Sequence, residues 1–359
     1  MAPGDERRRS QRKPGKKAAN STPIKFATWN VGHLSEDNEH REEKLEHLKN
    51  MIAEQQPDVL SLQEINSDIS EHLRNAAGDD YELHMGPLME AGSNNYNNRQ
   101  GTQHEYYPLL VKKSAGLNVT PLGMLHVEGG GRVKGKNKDS VAWGSARPMA
   151  TYLMTHQETQ RSAVLGAAHT SPGSFTEKQI KEHYRGLKAL GEKMNMPFFG
   201  MGDWYGKENK GIPAKHLRRS PNSTNYAEGQ DENRQAADYF LTNLPSEDPQ
   251  VHGKPKDLFE DKISDHSPVS ITASLNGFPQ SETHEQLAEK ATDWVQKMNL
   301  VRSGEMFDEY GYKGLARDLN GAKRRSKRTR KRTRVEYEAG MNDQEDQVIE
   351  PHRKKAKRR

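Results

Sequence analysis

The 359-residue chain contains no cysteine, which rules out disulfides, thiolate metal sites and cysteine nucleophiles. Apolar residues are scarce, at 31% of the sequence, and no run approaches the roughly eighteen that a membrane-spanning helix needs. The opening Met1-Ala2-Pro3-Gly4-Asp5-Glu6-Arg7-Arg8-Arg9 is not followed by an apolar h-region, so neither a Sec-type signal peptide nor a membrane span is expected. Internal repeats are absent, and the Gly-rich stretch Glu128-Gly129-Gly130-Gly131-Arg132 lacks the Walker pattern and reads as a turn. Short apolar runs such as Val59-Leu60-Ser61-Leu62 and Phe198-Phe199-Gly200-Met201 are nonetheless core-like. A folded middle diluted by polar ends accounts for both facts.

The net charge of +5 conceals a strong asymmetry. The first twenty residues carry seven Lys/Arg against two acids, and the last thirty-nine carry fifteen against six, which leaves the stretch between them at −9. An acidic core suits a polyanionic substrate only when its carboxylates bind metal ions that invert the local potential. The basic ends then attract phosphate at long range; the blander reading is that they keep the chain soluble.

Four segments are expected: a disordered basic tail over 1–22, a folded domain over 23–275, a helical extension over 276–320 and a disordered basic tail over 321–359. Alternation from Ile24 to Trp29 predicts a strand. Leu45, Leu48 and Ile52 share one face of a helix over 42–55, which Pro57 follows, and 58–63 reads as a more buried strand. Strand, helix, strand in quick succession points to an α/β sandwich. From 106 to 167 the signal is mostly β, with segments near 109–111, 149–154 and 163–167. Ser174-Phe175-Thr176-Glu177 has the form of a capping box, and Ile180, Tyr184, Leu187, Leu190 and Met194 continue at helical spacing. Strands over 197–201, 239–242 and 269–273 complete the domain. Beyond Leu275, the residues Leu287, Ala291, Trp294, Val295 and Met298 stripe one helix face, a pattern more typical of packing than of a cofactor box.

Polar or ionisable residues recur at the ends of the predicted strands: Asn30, Glu64, His169, Asp203 and the pair Asp265-His266. Repetition at successive strand ends gathers them into one site at the edge of a sheet sandwich. Glu64, Asp203, Asp265 and the Asn30 amide are hard oxygen ligands suited to Mg²⁺, with Mn²⁺ or Ca²⁺ as substitutes, and such an ion neutralises a transferring phosphoryl group. His266 can take a proton from water if a carboxylate such as Asp238 holds its other ring nitrogen, and His169 can donate to the phosphate. This chemistry is phosphodiester hydrolysis.

The ordered segments Thr28-Trp29-Asn30, Leu62-Gln63-Glu64-Ile65, Gly202-Asp203-Trp204 and Ser264-Asp265-His266-Ser267-Pro268-Val269 resemble the motifs of the endonuclease/exonuclease/phosphatase superfamily. Finer likeness favours the branch of deoxyribonuclease I and the catalytic subunit of cytolethal distending toxin. It rests on His104-Glu105-Tyr106-Tyr107, Ala146-Arg147-Pro148, Ala168-His169-Thr170-Ser171-Pro172 and Ala237-Asp238-Tyr239. The resemblance covers roughly residues 24–274. It implies a four-layered α/β sandwich of the DNase I type, with two packed mixed β-sheets flanked by helices. By position it pairs Glu105 with His169 and Asp238 with His266, assigns metal binding to Glu64, Asn30 and Asp265, has Asp203 position the nucleophile, and makes Arg147 a phosphate clamp.

One departure stands out. Two residues after the aspartate matched by Asp203 the family has Asn, and this chain has Tyr205, a bulky phenol at a phosphate-binding position; either Asn209 or another donor replaces the lost amide, or catalysis is weaker, or the substrate is altered. At the C-terminal end, Lys323, Arg324, Arg325, Lys327, Arg328, Arg330, Lys331 and Arg332 form one basic cluster, and Arg353, Lys354, Lys355, Lys357, Arg358 and Arg359 a second. Both have the composition of nuclear-localisation or DNA-binding segments, so the expected partners are DNA and nuclear import receptors and the expected location is a nucleus, the cell's own or a host's, with the cytoplasm as the alternative. The expected activity is a metal-dependent DNA endonuclease. A phosphoinositide or other phosphomonoester phosphatase on the same fold is the alternative, and a catalytically weakened nucleic-acid-binding effector is the second.

Overall fold

A computed structural model describes residues 21–92, 102–126, 133–134, 141–142, 147–170, 176–205, 211–226, 236–276 and 279–303. The Gly-rich stretch 128–132, Ser174 and Phe175 of the capping box, Asn209 and both basic tails lie outside the described residues.

The chain begins with β1 (Thr22–Leu34), α1 (Arg41–Gln55), β2 (Val59–Ile65), α2 (Ser70–Ala77), β3 (Tyr81–His84), β4 (Leu88–Gly92), β5 (Thr102–Tyr106), β6 (Leu109–Lys112) and β7 (Leu117–Leu125). The short β8 (Val133–Lys134) and β9 (Val141–Ala142) precede β10 (Met149–His156), β11 (Arg161–His169), α3 (Thr176–Met194) and β12 (Phe198–Asp203). Then come β13 (Leu217–Arg218), β14 (Asp238–Thr242), β15 (Gln250–Val251), α4 (Pro255–Glu260), β16 (Val269–Leu275) and α5 (His284–Ser303).

Two mixed sheets form the body. The first runs β15-β16-β1-β2-β5-β4, with β6 joining β2 to β3, and the second runs β13-β14-β12-β11-β10-β7. β1 pairs parallel with β2, and β11 with β12. Alternation along the strands explains the layering. Phe26, Val59, Phe199, Met201, Phe240 and Ile271 join one buried cluster between the sheets, where the Phe26 and Phe199 rings stack with centroids 3.9 Å apart. The intervening residues Ala27, Trp29, Leu60 and Leu62 point the other way, into a second cluster with Leu45, Leu48, Met51 and Ile52 of α1 and Leu73 of α2. On the opposite flank α3 packs on β11 and β12, and α5 on β7 and β10. The result is a four-layered α/β sandwich.

Most predicted elements occur where the periodicity placed them. The edge strand β7 carried no clear pattern of its own, because Pro121 interrupts it at the irregularity where its register with β10 shifts. Proline is tolerated at such an edge position because no inner ladder needs its missing N–H. The helix expected in the 276–320 extension belongs to the same compact unit as the sheets, which runs through Ser303. Its Leu287, Ala291, Trp294, Val295 and Met298 are buried, and Asn299 pins it to β7 by donating to Met124 O at 2.6 Å and accepting from His126 N at 2.9 Å. Met298→Ala is therefore expected to lower the unfolding free energy by about 2–4 kcal/mol in urea titrations. An unchanged midpoint would mean that α5 is a detachable appendage.

Candidate active site

The second sheet aligns three of the predicted residues by register alone. His169 on β11 lies opposite Asp203 on β12, and Asp203 lies opposite Asp238 on β14. Gly202 makes this approach feasible. Its φ is +146°, and a Cβ there would stand 1.9 Å from Ala168 O, so no other residue fits before Asp203.

The first sheet delivers Asn30 and Glu64. Both strands leave regular pairing there: β1 and β2 shift register between Asn30 and Leu34, and Glu64 adopts φ +62°. Asn30 Nδ2 donates to Glu64 Oε1 at 3.1 Å and to Asp203 Oδ2 at 3.0 Å, which ties the two sheets together at the site. The backbone N of Glu64 donates to Glu105 Oε1 at 3.0 Å.

Two carboxylate–histidine couples flank Asp203. His169 Nδ1 donates to Glu105 Oε1 at 2.8 Å, and its Nε2 lies 3.5 Å from Glu64 Oε1 and 3.8 Å from Asp203 Oδ2. His266 Nδ1 donates to Asp238 Oδ2 at 2.7 Å, and its Nε2 lies 3.5 Å from Asp203 Oδ2. His266 comes from the loop before β16. Trp29 Nε1 fixes that loop by donating to His266 O at 3.0 Å, and Ser264 Oγ by donating to Asn30 O at 2.7 Å.

The remaining predicted residues stand differently. Arg147 turns inward: Nη1 is 3.3 Å from Glu105 Oε2 and contacts His169 Nδ1, so the guanidinium backs the first couple. Its carbonyl accepts from Gln179 Nε2 at 2.8 Å and His183 Nε2 at 3.0 Å, which anchors it to α3. Asp265 stands at the rim with its side chain 43% exposed, 3.9 Å from His266 Nε2. Tyr205 points into the site, its hydroxyl 3.3 Å from His266 Nε2.

Lys44 on α1 is a site neighbour that the sequence reading passed over. Its buried ammonium donates to Val31 O at 2.8 Å, to Gly32 O at 2.6 Å and to Ile263 O, clasping the Asn30 and Asp265 segments together. Burial lowers its pKa to about 8 against the pull of Glu64 and Asp265. The available signal was its position one turn before Leu48 on the apolar stripe; amid Glu42, Glu43 and Glu46 it reads as part of a solvated face.

Packing so many acids together sets their proton affinities. Burial pushes Asp203 up to about 7, with Asp238 adding to the rise, against the pull of His266, His169 and the Asn30 amide. Burial alone would depress His266, but Asp238 and then Asp203 hold it well above the ordinary imidazole range. His169 is likewise raised, Glu105 and Glu64 outweighing burial and the Arg147 charge. For Glu64, burial is overcome by His169, then by His33, Asn30 and Arg147, and the carboxyl is held at about 2.

The oxygen-rich donor set fits a hard divalent cation. Asp203 Oδ1 and Asp238 Oδ1 are buried without a hydrogen-bond partner among the described residues. Ligand atoms of Asp203, Asp238 and His266 lie within 4.8 Å of one another, yet the 2.7 Å Asp238–His266 bond already engages two of them. The Glu64–Asn30–Asp203 side of the site is therefore the better place for an ion.

Because Glu64 is a stronger acid in the folded chain than in the unfolded one, its stabilisation is fully present above the ordinary carboxylate pKa of 4.5 and lost as pH falls toward about 2. In metal-free protein, the wild type should lose about 2 kcal/mol more than Glu64→Gln between pH 6 and pH 3, as read by urea unfolding. Parallel losses would show that Glu64 titrates normally.

Comparison with known proteins places this geometry. The Endonuclease/Exonuclease/phosphatase family matches residues 27–266, more than half of the chain. No curated protein sequence matches. Among solved structures, an endonuclease/exonuclease/phosphatase family protein from Bacteroides thetaiotaomicron superposes with a TM-score of 0.50 at 11% identity, covering 72% of this chain and 100% of that one. Truncated Caenorhabditis elegans TDP2 gives a TM-score of 0.48 at 12% identity, covering 70% and 98%. A Bacteroides thetaiotaomicron mannosyl-6-phosphatase gives 0.48 at 12% identity, covering 70% and 99%. At such identities the likeness is one of fold. The family match across the strands that carry Asn30, Glu64, His169, Asp203 and His266 establishes that the chain belongs to the endonuclease/exonuclease/phosphatase family, whose members are hydrolases that generally use divalent metals.

Proposed function

We propose that the protein is a divalent-metal-dependent DNA endonuclease that hydrolyses phosphodiester bonds by histidine-assisted attack of water. The observation that carries this reading is the convergence of two carboxylate–histidine couples on the buried Asp203 carboxylate. In this account Glu64 and Asn30 would hold Mg²⁺, Asn30 through the amide oxygen that here accepts from Gly32 N, with Asp265 at the rim, and the ion would supply charge neutralisation at the phosphoryl group. Asp238 orients His266 so that Nε2 faces the attacking water beside Asp203; the two carboxylates hold the ion-free imidazole protonated, and the charge of a bound cation would lower its proton affinity, as Nε2 needs in order to accept the water's proton. Glu105 orients His169, whose Nε2 donates to the departing oxygen. Arg147 keeps His169 and Glu105 in place and lends positive charge to the phosphate.

DNA as the substrate is supported by the finer sequence likeness and by the basic clusters at 323–332 and 353–359, which suit both duplex binding and nuclear import receptors. Among the described residues no helix is long and apolar enough to cross a membrane.

Supercoiled plasmid is expected to be nicked in Mg²⁺ and left intact in EDTA. His169→Ala and His266→Ala should each slow nicking by roughly 10²–10⁴-fold. Phosphate release from inositol lipids without nicking would replace this reading with a phosphatase. Salt-sensitive DNA binding with no cleavage in Mg²⁺ or Mn²⁺ would replace it with a binding protein.

A further inference from the structure

Tyr205 occupies a backbone conformation that does not suit it. Its φ of +47° is left-handed, a region that glycine and asparagine enter readily and a tyrosine enters at a cost of about 1–2 kcal/mol. The asparagine that the family places here fits that backbone, so this chain accepts strain in order to carry a phenol. A strained residue at the centre of a site points to a role for its side chain.

The side chain is closely placed. The ring lies near both imidazoles, with centroids 6.2 Å from His169 at an interplanar angle of 27° and 5.8 Å from His266 at 73°. Its hydroxyl stands 3.3 Å from His266 Nε2, on the nitrogen not held by Asp238. An amide at this position is too short to reach the same point. A phenol extends well beyond it and delivers a single O–H beside the histidine. Asn30 and Glu64 approach Asp203 from the other sheet, so groups from both sheets meet around the Asp203 carboxylate.

We infer that the Tyr205 hydroxyl, beside His266 Nε2, donates a hydrogen bond to one non-bridging oxygen of the scissile phosphodiester as charge develops there, and so makes the site stereoselective at phosphorus. The inference deepens the endonuclease reading and rests on it. Donors aimed at developing charge act on turnover more than on binding. Tyr205 thereby takes over from the missing amide through a different reach and a different oxygen geometry.

The test uses the full chain with Mg²⁺ and a short oligonucleotide with one cleavable linkage, made as phosphate and as each of the two phosphorothioate diastereomers. Tyr205→Phe keeps the ring and removes only the hydroxyl. It should lower kcat by roughly 10²-fold with KM within about twofold, the scale of losing one oxyanion donor. The sulfur penalty of one diastereomer should shrink toward unity in this variant while that of the other stays at the wild-type value. Tyr205→Asn should recover part of the kcat. Three results would overturn the inference: wild-type turnover by Tyr205→Phe, faster turnover that exposes the phenol as a cap, or equal losses on both diastereomers with a lowered melting temperature. Wild-type protein that leaves the all-phosphate oligonucleotide intact overturns the endonuclease reading itself, and the inference falls with it.

Discussion

Three neighbouring strands in fixed register hold the site together. Because β11, β12 and β14 bring His169, Asp203 and Asp238 side by side, a slip of β12 against its two neighbours would separate both histidine couples from Asp203. Gly202 permits this register, since any side chain there would collide with the backbone of Ala168. The core around Phe26, Phe199 and Phe240 then fixes the first sheet against the second, and the Asn30 amide bridges them where they meet the site.

Such an arrangement concentrates negative charge where water is excluded. Glu64, Glu105, Asp203 and Asp238 are held within one cluster, and each buried carboxylate is costly without a compensating cation or donor. His169, His266 and Arg147 answer part of that charge from within, and Lys44 adds to it from behind the Asn30 strand. Among the described residues Asp203 Oδ1 and Asp238 Oδ1 have no partner, so compensation by these groups is incomplete, a condition that favours a hard divalent cation. In the proposed function the acidic stretch between the basic ends would serve metal-centred chemistry, and the basic clusters attraction to polyanions.

Much of this was legible in the sequence because motif residues sit where strands end. The runs Thr28-Trp29-Asn30, Gln63-Glu64, Gly202-Asp203 and Asp265-His266 combine an apolar strand with a polar terminus, a pattern that both periodicity and chemistry pick out. Contacts that depend on side-chain direction were not legible. Arg147 bends toward Glu105 because α3 anchors its carbonyl, and Lys44 is drawn inward by three carbonyls that meet only in the folded chain. The strand β7 was hidden by Pro121, and the role of α5 as part of a layer was hidden because its apolar stripe does not say what it packs against.

In the proposed mechanism the two couples act on one phosphate beside Asp203. Groups that act as a unit show strongly non-additive losses, whereas independent groups multiply. Single-turnover cleavage of supercoiled DNA in Mg²⁺ by His169→Ala, His266→Ala and the double variant measures this directly. The account predicts that the double variant is scarcely slower than the more damaged single one. A double loss equal to the product of the two single losses would contradict it and place the histidines in separate steps.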